Sequence, residues 1–208
     1  MGRIFCIMGK SASGKDTLFK ELLRAKPALK TVVSYTTRPI RAGEADGREY
    51  FFVHEDDLEQ MEADGRVIEC RRYHTKHGIW AYFTADDGQI DLERADYLVI
   101  GTLVSYASLR AYYGDEALVP IYVETEDGLR LSRALARERA QAEPKYAEMC
   151  RRFLADAEDF SELKLEKEGV KVRFQNVDIE QCLSEILAYI YPGSQDYALE
   201  PAKGYSTS

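Results

Sequence analysis

A chain of 208 residues with 28 Lys and Arg against 36 Asp and Glu, and a net charge of −8, has the length and balance of one large soluble domain. That charge argues against a nucleic-acid partner, which would ask for a basic footprint. No apolar stretch reaches membrane-spanning length. Cys6, Cys70, Cys150 and Cys182 lack paired spacing and predict the reduced thiols of a cytoplasmic protein.

The first element is the apolar run Arg3-Ile4-Phe5-Cys6-Ile7-Met8, of strand length. Residues 16–26 then carry Leu18, Phe19, Leu22 and Leu23 at helical spacing, until Pro27 stops them. Between the two lies Gly9-Lys10-Ser11-Ala12-Ser13-Gly14-Lys15-Asp16-Thr17. This follows the phosphate-loop pattern G-x-x-x-x-G-K-[ST] everywhere except at Asp16, which stands where a hydroxyl is usual. Strand, glycine-bearing turn and helix N-terminus aim backbone N–H groups and a positive dipole end at a phosphate. Lys15 adds a point charge. Asp16 has two readings: an anionic oxygen for Mg²⁺, or a negative charge that suits a helix start.

Further along, a strand signal at 31–34 precedes a segment, 36–84, rich in short aromatic runs such as Tyr50-Phe51-Phe52-Val53, with a small helix over 55–63. It reads as an inserted lobe. Strands at 97–101, 118–124 and 170–175 alternate with helices at 103–113, 126–141, 144–160 and 178–191, the pattern of a parallel sheet covered on both faces. In the last helix Asp178 caps an apolar stripe of Ile179, Cys182, Leu183, Ile186, Leu187 and Ile190. Residues 192–208 have no period and read as a loose tail.

A second anion site is suggested by Ser34, Arg38, Arg41 and Tyr50, which could clamp a dianionic phosphate; the same residues would also suit a solvated hairpin balanced by Glu44 and Asp46. The run Thr36-Thr37-Arg38-Pro39-Ile40-Arg41-Ala42-Gly43-Glu44-Ala45-Asp46-Gly47-Arg48-Glu49-Tyr50-Phe51-Phe52-Val53 closely resembles the guanylate kinase signature T-[ST]-R-x-x-[KR]-x-x-[DE]-x-x-G-x-x-Y-x-[FY], and every specified position matches. The resemblance extends more weakly to Tyr191. It implies an α/β, P-loop NTPase three-layer fold with a central parallel sheet (1–34, 95–125 and 161–191), an inserted mixed α+β NMP-binding lobe (35–94) and a helical lid (126–160). It also implies ATP and GMP as substrates, with Mg²⁺ accompanying ATP. ATP would lie on Gly9, Ser11, Ala12, Ser13, Gly14, Lys15, Asp16 and Thr17. Ser34, Arg38, Arg41, Glu44, Tyr50 and Tyr82 would hold GMP, with Glu69 and Thr84 at its base. A carboxylate at Glu69 suits guanine, whose N1–H and N2 amine both donate; adenine has no such pair.

The chain departs from that family in three places. Between Glu69 and Tyr82 it is several residues longer; Cys70, His74 and His77 there lack a fourth zinc ligand, so the stretch 70–81 is expected to be a packed loop that shapes the pocket. The family's D-x-D-x-x-G element falls on Ile100-Gly101-Thr102-Leu103-Val104-Ser105, without either aspartate, which leaves Asp16 as the expected Mg²⁺ ligand. The lid segment holds Arg130, Arg133, Arg137, Arg139, Arg151 and Arg152. Arg130 and Arg152 have i,i+4 partners in Glu126 and Glu148, so Arg133, Arg137 and Arg151 are expected, with Lys15, to meet the transferring phosphoryl group. Three functions stay open: a GMP kinase, a catalytically silent binding module of the same fold, and a kinase of another phosphorylated acceptor. Oligomeric state and tolerance of dGMP are not legible.

Overall fold

The computed structural model describes residues 1–41, 43–75 and 78–193. Strand β1 (Ile4–Met8) is buried at every position, so its side chains need cover on both faces. It lies at the centre of a five-stranded, wholly parallel sheet. On one side runs β7 (Tyr97–Ile100) and then β2 (Lys30–Thr31); on the other β8 (Leu118–Glu124) and then β9 (Arg173–Gln175). Phe5 and Ile7 face helices α1 (Lys15–Ala25) and α7 (Ile179–Ile190), meeting Leu18, Leu22, Cys182, Ile186 and Ile190. Ile4, Cys6 and Met8 face the opposite layer, where α3 (Leu103–Tyr113) brings Leu103, Tyr106 and Leu109. The result is three layers, helix–sheet–helix, in which each fully buried aliphatic side chain contributes about 1.5–3 kcal/mol. Burial also pushes the Cys6 thiol up to about 12, which makes it inert.

A second, mixed sheet of four strands has the order β4 (Phe51–Phe52), β3 (Tyr35–Thr36), β6 (Gly78–Ala85), β5 (Val67–Thr75). One face packs Tyr35, Ala81 and Phe83 on Leu58 of α2 (Glu55–Ala63), forming a small core of its own. The other face carries the polar residues of the candidate site. Beyond β8, α4 (Asp127–Arg139) and α5 (Tyr146–Asp159) pack on each other.

The differences from expectation are local. The strand anticipated at 31–34 is divided, because the chain leaves one sheet there and enters the other: Lys30–Thr31 pairs with β7 and Tyr35–Thr36 with β6. Outside residues 76 and 77, the stretch 70–81 is strand rather than loop. Its alternating side chains extend β5 and β6 as an antiparallel hairpin whose register runs from Glu69↔Thr84 to Thr75↔Gly78. A short helix, α6 (Glu162–Lys167), was not legible; it is anchored by the buried Leu165. His77 and most of the expected tail, 194–208, lie outside the described residues.

Candidate active site

The loop from Gly9 to Gly14 leaves the C-terminal end of the central strand and delivers Lys15 as the first residue of α1. Gly14 caps that helix with φ +89°, and a Cβ there would stand 2.2 Å from Asn176 Nδ2. At Gly9 a Cβ would meet the Val123 carbonyl oxygen at 2.4 Å. Both glycines are therefore required by close backbone approach. The Ser13 carbonyl accepts from Asn176 Nδ2 at 2.7 Å and from the Thr125 hydroxyl at 3.2 Å. The Ser11 N–H donates to Asp156 of α5 at 2.7 Å, and the Ser11 carbonyl accepts from Arg130 of α4 at 3.0 Å. Three separate segments thus fix the loop. Ser13 Oγ and Asn176 Oδ1 are buried without a partner among the described residues. Asp16 and Thr17 are exposed on the first helical turn.

The second group of candidate residues lies on the polar side of the four-stranded sheet. Period-2 alternation places Phe52, Thr36, Tyr82, Thr84, Glu69, Arg71 and Tyr73 on that one side. Arg38 is 4% exposed; its two Nη atoms donate to the two Glu44 carboxylate oxygens at 2.7 Å, and its guanidinium lies 5.2 Å from the Tyr50 ring centre and 5.3 Å from that of Phe52. Arg38 Nε has no partner among the described residues. The Arg38 hydrogen bonds, above all, draw the Glu44 carboxyl down to about 2. Arg41 is exposed and donates its backbone N–H to Glu44. Tyr50 meets Tyr82 edge-on at 5.6 Å. Ser34 Oγ lies 3.5 Å from the Thr84 hydroxyl, which donates to Glu69 Oε1 at 3.0 Å. Glu69 is buried and paired with Arg71. The structure therefore gathers Ser34, Arg38, Glu44, Tyr50, Glu69, Tyr82 and Thr84 into one cleft, with Arg41 at its edge.

The helical arginines are distributed differently from the reading of their spacing. Arg130, set aside as a partner of Glu126, is fully buried, donates to Asp127 at 2.8 and 3.0 Å, and stacks 4.6 Å from the Phe153 ring centre. Glu126 is not available to it, because its carboxylate caps α4 by accepting from Gly128 and Leu129 N–H. Glu148 likewise pairs with Arg151 rather than Arg152, and both partners are exposed. Arg133 donates to the Asn176 carbonyl at 3.3 Å, and Arg137 is exposed on α4. Where the family's aspartates were sought, Thr102 caps α3 by accepting from Ser105 N–H, and Ile100 is 39% exposed. Among the described residues no three His, Cys, Asp or Glu side chains cluster as metal ligands.

Comparison with known proteins fits this geometry. A family model described as guanylate kinase matches residues 1–79. Over 196 residues the chain is 31% identical to the guanylate kinase of Symbiobacterium thermophilum, covering 91% of this chain and 84% of that protein. The guanylate kinase of Thiobacillus denitrificans is 46% identical over 68 residues, a match that spans 33% of this chain and only 32% of that protein. The crystal structure of guanylate kinase from Anaplasma phagocytophilum superposes with a TM-score of 0.61 at 18% identity, over 91% of this chain and 84% of that one, which is a likeness of fold.

Proposed function

Because this chain belongs to the guanylate kinase family, we propose that it transfers the γ-phosphoryl group of ATP to GMP, giving ADP and GDP. One observation carries the reading: the same chain combines a glycine-bearing phosphate loop at the end of its central strand with a sheet face that holds a buried arginine and a buried carboxylate. The ATP phosphates would rest on Gly9 to Thr17, with Lys15 on the transferable group. Arg38, Arg41, Tyr50 and Tyr82 would hold the acceptor phosphate, Arg38 exchanging Glu44 for it, while Ser34, Glu69 and Thr84 meet the base. Arg133, Arg137 and Arg151 would come to the phosphoryl group as α4 and α5 close, excluding water so that GMP outcompetes it as nucleophile. This chemistry asks for position and charge compensation rather than for a strongly perturbed base.

Mg²⁺ is the group the family implies. A single exposed carboxylate beside a phosphate loop, with the Thr17 hydroxyl next to it, fits an ion that keeps several waters and takes one or two protein oxygens plus substrate phosphates. Asp16 would hold it, and when bound it would neutralise charge on the phosphates. The four cysteines are free thiols, which supports a cytoplasmic site of action, and among the described residues no helix is long and apolar enough to cross a membrane.

An ADP-release assay with GMP, dGMP, AMP, UMP and ribose 5-phosphate tests the proposal. GMP is expected to give the highest kcat/KM. Silence with all five acceptors would instead mark a binding module, and preference for a non-guanine acceptor would mark a different kinase, which the Ile100 and Thr102 positions would then explain. In the same assay, Asp16→Ser should raise the Mg²⁺ concentration for half-maximal rate by about tenfold; an unchanged requirement removes Asp16 as ligand.

A further inference from the structure

Strand β5 alternates, and its alternation divides two neighbouring arginines. Arg72 turns beneath the sheet to Glu62 and Glu55 of α2. Arg71 turns into the cleft, on the same side as Glu69, its side chain 21% exposed. Its Nε donates to Glu69 Oε2 at 2.9 Å and its Nη2 to Oε1 at 3.3 Å, where the Thr84 hydroxyl also donates at 3.0 Å. A guanidinium has five N–H donors and an ionised carboxylate about four acceptor positions. Three of those four positions are taken, so the pair retains a donor edge on Arg71 and, beside it, one acceptor position on Glu69, with a second opening where the 3.3 Å Nη2 bond is released. Helix α3 also packs against β5, and its entry carries Ile100 and Thr102 where two carboxylates were expected. By its family pattern the base end of this cleft lacks two aspartates, and it carries the guanidinium of Arg71.

A donor beside an acceptor is the complement of guanine, which offers O6 as acceptor next to N1–H and the N2 amine as donors. Adenine reverses both, setting its N6 amine against a cation and its N1 lone pair against a carboxylate. We propose that Arg71 is a specificity-determining residue that donates to O6 of the acceptor's guanine while Glu69 accepts from N1–H and the amine. This assignment rests on the GMP reading above. Glu69 alone reads the donor half of the base; Arg71 supplies the half that a carboxylate cannot read, and it does so from the strand rather than from the loop before α3.

The test compares GMP with 6-thio-GMP, which keeps N1–H and the amine but replaces O6 by a weakly accepting sulfur. The wild type should favour GMP in kcat/KM on the order of ten- to a hundredfold. In Arg71→Ala that ratio should fall to near unity, with KM for GMP raised by a similar factor and KM for ATP unchanged; Arg71→Lys should keep part of the ratio. If Arg71→Ala weakens both acceptors equally and the ratio survives, Arg71 only holds Glu69 in place and the inference is overturned. A wild type that does not distinguish the two nucleotides also overturns it. Should Arg71→Ala lose its far-ultraviolet circular dichroism, Arg71→Gln takes its place in the same comparison. A wild type that fails to phosphorylate GMP at all defeats the guanylate kinase reading instead, so the two failures are distinct.

Discussion

Glu44 gathers two guanidinium nitrogens of Arg38 at 2.7 Å and the backbone N–H of Arg41 at 2.9 Å, and these bonds take its carboxyl from an ordinary 4.5 to about 2. A carboxylate held lower in the fold than in the unfolded chain adds stability above its unfolded pKa and loses it as pH falls through the folded one. The melting temperature of the wild type should therefore drop more steeply between about pH 4.5 and pH 2 than that of Glu44→Gln; parallel curves would remove the pair as a source of acid sensitivity. At this scale, residues fixed by motif spacing were legible: Arg38, Glu44, Tyr50, Glu69 and Thr84 do share one cleft. Arg71 was missed although strand alternation from Glu69 pointed to it, because the stretch was taken for a loop. Arg130 was misjudged because i,i+4 spacing cannot tell an ion-pair partner from a helix cap, and Glu126 is a cap.

Among the elements, the contact of α4 and α5 with the phosphate loop is the most consequential. Arg130 joins Asp127, the Ser11 carbonyl and the Phe153 ring, while Asp156 approaches Arg130 at 3.5 Å and binds Ser11 N–H. Removing the buried guanidinium takes a partner from Asp127, Asp156 and the Ser11 carbonyl, so Arg130→Ala should cost about 2 kcal/mol in urea unfolding, and Arg130→Met, which keeps the stack on Phe153, less. Equal losses in the two variants would show that charge pairing, not packing on Phe153, sets the cost. Helices were readable to within one or two residues because their apolar period and stops are written locally: 103–113 and 55–63 coincide with α3 and α2. The two-residue strand β3 was not, since two residues carry no alternation and only its partners across the sheet define it, whereas β4 falls within the aromatic strand signal of residues 50–53.

As a whole, the molecule has a large core divided over the two faces of the parallel sheet, and a much smaller one of Tyr35, Leu58, Ala81, Phe83 and Ala85 under the mixed sheet. Local opening follows the density of buried apolar contacts. In native-state hydrogen exchange, amides of β3 and β6 should therefore open with lower free energy than those of β1, β7 and β8, and uniform protection would show that the two sheets unfold as one. The three-layer architecture was legible from alternation alone, but the size of the second core was not, because it depends on which residues the hairpin folds under. The Arg38–Glu44 pair, finally, gives the cleft a tethered anion of its own. Under the proposed function, an incoming phosphate would not find a bare cation to neutralise; it would have to take the place of a group already seated with two good bonds. Long-range attraction is correspondingly blunted, capture is decided by exchange at close quarters, and stray sulfate or chloride, with no further contacts to offer, makes a poor intruder.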